Sequence, residues 1–411
     1  MKRILIFSLT YHPYIGGAEV AIKEITDRID PDKYIFDMIT LRFDRNLPAV
    51  EKFGNITIHR IGFTTDAPKV SDRSMPRRLK LAKILFPFTS FWKAVSLHRQ
   101  HHYDMTWAMM ANYAAFGALL FKYTHPQIPY LLELQDGNSL AQVQTRQPVL
   151  RFMWSLYRQL YLKADMIKAI SQFIEKLTRE VGYEGEVVVI PNAVDTAKFS
   201  AMVPEEKMNE LKSRFDKKPN DIFLFTASRL VLSRGVEDVI RALPHLPANV
   251  RFLVAGDGED RAKLESIAGE AGVFDRVIFA GHIGHADLPA YFKVSDIFVR
   301  PSIIEGFGNA FVEAFAAGIP VVATPVGGIP DFLFDPIQNP QEKSTGIFCA
   351  VRDSESIARA VTQYLDNPQL KAQIVANARA LAIHKYDWNI IAPAVEEQIF
   401  KVLTRDAELD K

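Results

Sequence analysis

Short apolar strands alternate with amphipathic helices along nearly the whole chain, and this alternation restricts the fold more than any other feature. It is the pattern of parallel βαβ units. A first series of predicted strands covers residues 4–7, 35–40, 56–61, 105–109, 130–134, 166–170 and 187–190. A second series covers residues 222–226, 251–255, 277–280, 297–299, 321–323 and 347–349. The sequence therefore predicts an α/β fold with two doubly wound parallel sheets.

The length of the chain agrees with two domains. Its 411 residues exceed what one hydrophobic core usually organises. A polar, charge-rich connection over residues 195–220 is predicted as a linker plus the entry helix of the second domain, which places the domains at 1–195 and 196–385. Ligands of such sheets bind beyond the carboxyl ends of the strands, so we expect the site in a cleft between facing domains.

Charge and cysteine content exclude some classes of protein. A formal net charge of +1 excludes a globally basic nucleic-acid binder. The single cysteine, Cys349, forms no intrachain disulfide, which fits a reducing compartment. The apolar run of MKRILIFSLT is too short for a signal peptide, and no apolar stretch approaches the roughly 20 residues of a membrane span. We expect a cytoplasmic protein.

The run EGFGNAFVEAFAAGIPVVATPVGG, residues 305–328, carries two carboxylates spaced E-x7-E. If Asn309 begins a helix, its free N–H groups face the loop Gly306-Phe307-Gly308 and favour an anionic ligand there. Glu313, one turn inside, and Glu305, on the loop, can accept hydrogen bonds from sugar or ribose hydroxyls of one ligand. The spacing predicts a nucleotide-sugar site.

This spacing resembles the E-x7-E signature of the retaining glycosyltransferases of family 4, which have the GT-B fold. Four further segments match that family in order: Gly16-Gly17-Ala18-Glu19, the interdomain PNAVD of 191–195, SRLVLSRGV of 228–236 and the LVAGDG strand and turn of 253–258, with Gly256. The resemblance implies two Rossmann-like domains, the first binding the acceptor and the second the donor. It also implies that the end of the chain, 386–411, crosses back onto the first domain.

Arg229 and Arg234 are the candidates to neutralise a departing diphosphate, because a guanidinium can hold phosphate oxygens bidentately. A surface loop with two solvated arginines is the alternative. The family usually has lysine at the position of Arg234, and the two residues differ in geometry.

Two glycines and one loop are further donor-site candidates. Gly16 and Gly17 let the backbone approach a phosphate or the transferred sugar, with a plain strand-to-helix turn as the alternative. The loop 281–285, with Ile283, is expected near the nucleotide base, and a solvated loop is the competing interpretation.

Many family members carry a histidine near the end of the fifth strand, where this chain has Gln135 and Asp136. Gln135 cannot act as an acid or base. The resemblance implies front-face attack, in which the leaving phosphate takes the acceptor proton, so no protein base is required. We expect these two residues to position the sugar or acceptor; polar groups of a strand-end turn are the alternative.

No metal cofactor is expected. Asp30-Pro31-Asp32 has the D-x-D form of a metal motif, but its proline and its place at a helix end indicate a turn. No cluster of histidine and cysteine has the spacing of metal ligands.

Residues 73–102 hold seven Lys or Arg and no Asp or Glu, interleaved with aromatic residues; Phe88, Phe91, Trp92 and Val95 follow helical spacing. Such a helix can lie on an anionic membrane surface. A domain helix with a core stripe and solvated cations is the alternative. We hypothesise that this segment docks the first domain on the inner membrane face, because its acceptor is lipid-linked.

The sequence thus predicts a metal-independent, retaining glycosyltransferase. It would move a sugar from a nucleoside-diphosphate sugar to a glycan or lipid-linked acceptor, in the assembly of a cell-surface polysaccharide. A GT-B-type epimerase and a non-catalytic sugar-binding scaffold remain the alternatives. A dehydrogenase is disfavoured, since GDGEDR at 256–261 is not G-x-G-x-x-G.

Overall fold

The computed structural model of the protein describes residues 1–14, 16–62, 64, 75–138, 140 and 154–405. The chain forms two compact units, Met1–Asn192 with Asn389–Lys411, and Ala193–Trp388. No helix in the described ranges combines the length and apolar character needed to cross a bilayer.

The first unit contains a sheet of eight strands in the order β3-β4-β2-β1-β5-β6-β7-β8. The strands are β1 (Lys2–Phe7), β2 (Tyr34–Leu41), β3 (Val50–Phe53), β4 (Ile56–Ile61), β5 (Met105–Met109), β6 (Tyr130–Leu134), β7 (Met166–Ala169) and β8 (Glu186–Val189). All described pairings are parallel except that of β3 with β4. The described helices are α1 (Gly17–Thr26), α2 (Arg77–His101), α3 (Tyr113–Thr124), α4 (Trp154–Leu162) and α5 (Gln172–Val181).

The second unit contains a parallel sheet of six strands in the order β11-β10-β9-β12-β13-β14. The strands are β9 (Ile222–Ala227), β10 (Val250–Ala255), β11 (Val277–Gly281), β12 (Ile297–Arg300), β13 (Val321–Ala323) and β14 (Ile347–Phe348). The helices around them are α6 (Thr196–Ser200), α7 (Glu205–Arg214), α8 (Val236–Ala242), α9 (Arg261–Glu270), α10 (Leu288–Val294), α11 (Asn309–Ala317), α12 (Ser354–Asp366) and α13 (Pro368–Lys385). A last helical segment, α14 (Trp388–Val395), continues through a π-helical turn at Glu396–Phe400 to Leu403.

The central strands have long apolar runs because helices cover both faces of a parallel sheet. Ile4, Leu5, Ile6 and Phe7 of β1 are all fully buried. The end of the chain packs on the first unit, where Phe400 lies 5.5 Å from Trp107, centroid to centroid. Both sheets and their parallel strands confirm the predicted α/β class.

All thirteen predicted strands are present, with bounds that differ by no more than two residues. The sequence prediction missed β3, a four-residue edge strand with two charged residues, Glu51 and Lys52, whose apolar signal is too weak to detect. The connection after residue 195 holds two helices, α6 and α7, where one was expected. Asp30-Pro31-Asp32 lies in a turn after α1, as predicted.

Candidate active site

The strand order of the second unit reverses between β9 and β12, since the chain proceeds from β9 to one edge of the sheet and from β12 to the other. A crevice opens beyond the carboxyl ends of the strands at such a switch point, and ligands of open α/β sheets bind there. Arg229 and Arg234 follow β9, and Glu305 follows β12. These three predicted donor residues therefore flank one switch point.

Four loops meet at this edge of the sheet. Ser233 O accepts a hydrogen bond from Ile303 N at 2.9 Å, which joins the loops after β9 and β12. The loop after β10 packs against the loop after β9 so closely that a Cβ on Gly256 would come within 1.9 Å of Ser228 O. Gly327, after β13, has a φ of +57°, and a Cβ there would come within 1.7 Å of Glu305 O. Neither glycine position has space for a side chain.

Asn309 is the first residue of α11, as predicted, and Gly308 precedes it in a left-handed conformation with φ +94°. Helix α11 begins directly after the loop Gly306-Phe307-Gly308, and the N–H of Phe311 donates to Gly308 O at 3.0 Å. Phe307 is buried, and its ring packs against Phe332 at 4.9 Å between ring centroids, so its side chain anchors the loop in the core. The partial positive charge of the helix start favours an anion at this loop.

Glu305 is buried. All hydrogen bonds that its carboxylate accepts from the described residues end on one oxygen, Oε2. Oε2 lies 2.7 Å from Arg234 Nη1, 2.6 Å from Arg300 Nη2 and 3.4 Å from Ser302 Oγ. Burial opposes ionisation of Glu305, but the charges of Arg300 and Arg234 outweigh it and hold the pKa of the carboxyl below its ordinary value. The carboxylate is therefore ionised at neutral pH, with Oε1 left for a ligand.

Arg300 was absent from the sequence prediction. It ends β12, is only 6% exposed, and donates from Nη1 to Ala227 O at 3.3 Å. Its guanidinium lies 4.5 Å from the centroid of the Phe311 ring. Burial lowers the pKa of Arg300, and the ion pair with Glu305 opposes that shift. The side chain holds Glu305 from the core side and gives it a fixed position.

The two predicted phosphate ligands differ in their surroundings. Arg234 is half-buried and uses Nη1 for Glu305 and for Ile304 O, at 3.1 Å. Its Nε and Nη2 have no partner among the described residues, so they are available to a second anion. Arg229 is exposed and its side chain makes no ion pair within the described ranges. Both guanidinium groups therefore have N–H groups that can donate hydrogen bonds to a ligand.

Glu313 is buried on α11 and Oε1 lies 3.3 Å from Nε2 of His285. The other ring nitrogen of His285, Nδ1, lies 3.0 Å from Nζ of Lys198 on α6. An ammonium group can only donate, so Nδ1 accepts and Nε2 carries the proton that it donates to Glu313. His285 therefore helps to orient the carboxylate of Glu313. Ile283 lies on the same loop and is half-buried.

The strand order of the first unit reverses between β1 and β5. Gly16 and Gly17 follow β1, are exposed, and stand at the start of α1. Glu19 lies in the first turn of α1 and accepts a hydrogen bond from Gly16 N at 2.8 Å. Met110, directly after β5, has a left-handed φ of +65°, a strained conformation of the kind that clusters at functional sites.

Gln135 makes a reciprocal amide pair with Asn192: its Oε1 accepts from Asn192 Nδ2 at 2.7 Å, and its Nε2 donates to Asn192 Oδ1 at 3.1 Å. Nε2 also donates to Glu133 at 2.7 Å. Both N–H donors are thus used internally, and only the second lone pair of Oε1 remains for a ligand. Asp136 is exposed and its Oδ1 accepts from Asn138 N at 3.2 Å.

Glu133 and Lys168 form a fully buried ion pair, which sequence reasoning missed. Nζ of Lys168 lies 2.6 Å from Oε1 of Glu133, and the indole of Trp107 donates to Oε2 at 3.0 Å. The three residues come from neighbouring strands, β7, β6 and β5. The sequence contained one signal for this pair: Glu133 and Lys168 are charged residues within otherwise apolar strands. The pair fixes the strand end that carries Gln135.

Two family models match the chain side by side. "Glycosyltransferase Family 4" matches residues 15–198 and "Glycosyl transferases group 1" matches residues 207–381. Within the described residues, no group of three or more His, Cys, Asp or Glu side chains is arranged to hold a metal ion.

Among curated proteins, the chain is 32% identical over 212 residues to an uncharacterised glycosyltransferase of Methanocaldococcus jannaschii, covering 51% of this chain and 52% of the relative. It is 29% identical to the 2-deoxystreptamine glucosyltransferase of Streptomyces kanamyceticus, covering 68% and 70%. The match spans about half the length of the first of these relatives.

Solved structures share the whole fold. A sucrose-phosphate synthase of Thermosynechococcus elongatus superposes with a TM-score of 0.79 at 19% identity, covering 98% of this chain and 99% of that one. HepE of Anabaena, solved with UDP and glucose, superposes with a TM-score of 0.74 at 20% identity, covering 98% and 100%.

Proposed function

Because the chain belongs to the group 1 glycosyltransferases of family 4, we propose that it moves a sugar from a nucleoside-diphosphate donor to an acceptor, with retention and without a metal ion. The observation that carries this proposal is the setting of Glu305. Two arginines hold one carboxylate oxygen beside the start of α11, and the other oxygen is left for a ligand.

In the proposed complex the diphosphate binds between the start of α11 and the guanidinium groups of Arg229 and Arg234. Negative charge grows on the departing diphosphate as the sugar bond breaks, so fixed cations there stabilise the transition state more than the bound donor. Glu305 accepts from sugar hydroxyls through Oε1, and Glu313 accepts from the ribose through Oε2, because His285 donates to Oε1.

The acceptor binds the first unit in this proposal, with Gly16 and Gly17 near the transferred sugar and Gln135 and Asp136 at the acceptor. Gln135 has only an acceptor lone pair to offer, so it orients a hydroxyl and transfers no proton. The departing phosphate takes the acceptor proton. The proposed acceptor is a glycan or a lipid-linked acceptor at the inner membrane face, and the product belongs to a cell-surface polysaccharide.

Relatives support a nucleotide-sugar donor without fixing its base. HepE was solved with UDP-glucose, and a mannosyltransferase of Mycobacterium tuberculosis, 27% identical over 249 residues, is named as GDP-mannose-dependent. The donor of this chain is proposed to come from the same class.

A thermal-shift panel of uridine, guanosine and adenosine diphosphate sugars, each with and without EDTA, tests the proposal. Binding to the native state raises the melting temperature. We expect one nucleotide series to raise it equally in both conditions. The donor that binds is then incubated alone, and the released sugar is examined for retention at the anomeric carbon. No shift with any donor, or an epimerised sugar, would contradict the proposal.

A further inference from the structure

Helix α2 of the first unit exposes a row of large apolar side chains. Leu81, Ile84, Phe88 and Trp92 are 50%, 56%, 58% and 66% exposed. Their spacing of three, four and four residues places them within about 80° of one another around the helix axis, in a row about 16 Å long. Exposed apolar side chains in one continuous row mark an interaction surface rather than scattered surface residues.

The protein core uses the opposite side of the same helix. Leu79, Phe86 and Leu97 are buried, and α2 packs along α3. The rows of α2 therefore differ in their partners: one is covered by the first unit, and the other, Leu81-Ile84-Phe88-Trp92, faces solvent. The described part of the first unit leaves this second row uncovered, so core packing among the described residues does not account for its apolar character.

The charged side chains of α2 itself have one sign. The described part of the segment, 75–102, contains no Asp or Glu, and its cations are Arg77, Arg78, Lys80, Lys83, Lys93 and Arg99. Arg77 and Arg99 stand near the two ends of the exposed row, at angles close to that of Leu81. The sequence hypothesis also placed Arg73 in this segment, and it lies outside the described residues.

We infer that α2 lies in the interface of an anionic lipid bilayer, with the row Leu81-Ile84-Phe88-Trp92 inserted at the level of the headgroups and upper acyl chains. Lipid is favoured over a protein partner because cations lie on several sides of the row, which matches a continuous anionic surface. Trp and Phe are also residues that settle at this depth. The inference deepens the proposed function, on which it rests for the lipid-linked acceptor.

Vesicle sedimentation of the full chain tests the inference, with phosphatidylcholine vesicles compared with vesicles that also contain phosphatidylglycerol. We expect at least tenfold stronger partition to the anionic vesicles at low salt, since each cation near the surface contributes roughly fivefold. This preference should fall as the ionic strength rises. Equal binding to both vesicle types, or binding to neither, overturns the inference.

Matched variants separate the row from general surface stickiness. Phe88→Ser with Trp92→Ser should reduce partition at least tenfold, and both sites are exposed, so the fold should be retained by circular dichroism. The control pair, Phe274→Ser with Ile337→Ser, removes side chains of the second unit that are 55% and 75% exposed, and should leave partition unchanged. Wild-type binding by the row variant, or an equal loss in the control, contradicts the inference.

Two further readouts complete the test. The emission of the exposed Trp92 should shift to the blue with anionic vesicles, and Trp92→Phe should lose that change while keeping most binding. Donor hydrolysis in the absence of vesicles should be equal in wild type and the row variant. A chain that binds vesicles but turns over no donor would refute the proposed function and leave the membrane surface standing.

Discussion

Arg300→Met removes one of the two guanidinium groups that hold Glu305 and leaves the carboxylate buried. The methionine has a similar length and keeps apolar contact with Phe311, so the change removes charge more than volume. Arg234 retains its contact of 2.7 Å with the same oxygen, so Glu305 keeps one ionic partner.

The expected destabilisation is about 3 kcal/mol. Removing one partner of a buried pair costs about 3–5 kcal/mol, and the surviving arginine places this case at the low end. The contact between Arg300 Nη2 and Glu305 Oε2, 2.6 Å long between buried groups, should itself contribute about 1.5–3 kcal/mol. The rest of the loss comes from the hydrogen bond to Ala227 O and from the cation–π attraction to Phe311, which the apolar contact of methionine does not replace.

A double-mutant cycle isolates the pair from those other contacts. Urea unfolding of wild type, Arg300→Met, Glu305→Gln and the double variant should give a coupling free energy of about 1.5–3 kcal/mol at neutral pH. Arg300→Lys, which keeps the charge with one contact, should lie between wild type and Arg300→Met. If the two single effects simply add, the structure's account of this pair is wrong.

The same variant should change the pH dependence with a defined sign. The pKa of Glu305 is lowered in the folded state, so its pairing stabilises the protein above the unfolded pKa and is lost as the pH falls through the folded one. Arg300→Met raises that folded pKa. Its stability deficit should therefore be largest near neutral pH and shrink in acid, and the acid limb of kcat/KM should move toward neutrality. An unmoved acid limb, with only a lower Tm, would refute the positioning role.

Three further variants test other parts of the structure. Arg229→Ala should lower kcat about 100-fold while weakening donor binding much less, since in the proposed reaction charge grows on the diphosphate at the transition state. Steady-state kinetics gives kcat and calorimetry gives donor affinity, and a loss confined to affinity contradicts the proposed role. Lys168→Met should lower the free energy of unfolding in urea by about 3–5 kcal/mol, because it leaves the buried charge of Glu133 without its ionic partner. Adding Glu133→Gln should restore much of this stability, and a double variant without recovery would contradict the importance of the ion pair. Asp238 lies buried on α8, and burial raises the pKa of its carboxyl to about 6. The folded state therefore binds this proton more tightly than the unfolded state, and stability falls as the pH rises from about 4 to 6. Asp238→Asn should add up to about 3 kcal/mol to the free energy of unfolding at pH 7 in denaturant titrations, and an unchanged curve would show that the ionised carboxylate does not destabilise the fold.

The sheets were predictable because apolar strands alternate regularly with helices along the chain. Strands such as β12 are buried on both faces and therefore consist mainly of consecutive apolar residues. Gly308 and Asn309 mark the start of α11 in the sequence. The E-x7-E spacing likewise placed Glu305 and Glu313 at one helix start. These features depend on residues close in sequence, which a single sequence reveals directly.

The partners of those residues depend on contacts far apart in sequence. Arg300 is the last residue of an apolar strand, and nothing in the run Ile-Phe-Val-Arg tells whether its charge faces solvent or the core. Lys198 and His285 are 87 residues apart and meet only because α6 packs beside the loop after β11. Gln135 was predicted as a ligand-facing amide, and its engagement with Asn192, 57 residues away, was equally out of reach.

These long-range contacts change how the site can act. A carboxylate with two free oxygens could rotate to meet any sugar, but Arg234 and Arg300 both hold Oε2 of Glu305 and so fix the direction of Oε1. A carboxylate oxygen with a fixed direction discriminates between sugars that differ in the configuration of a hydroxyl group. A sugar with the wrong configuration leaves the buried charge without its hydrogen bond. In the proposed complex, the choice of donor sugar should therefore depend on Arg300, which need not touch the sugar, as well as on the residues that do.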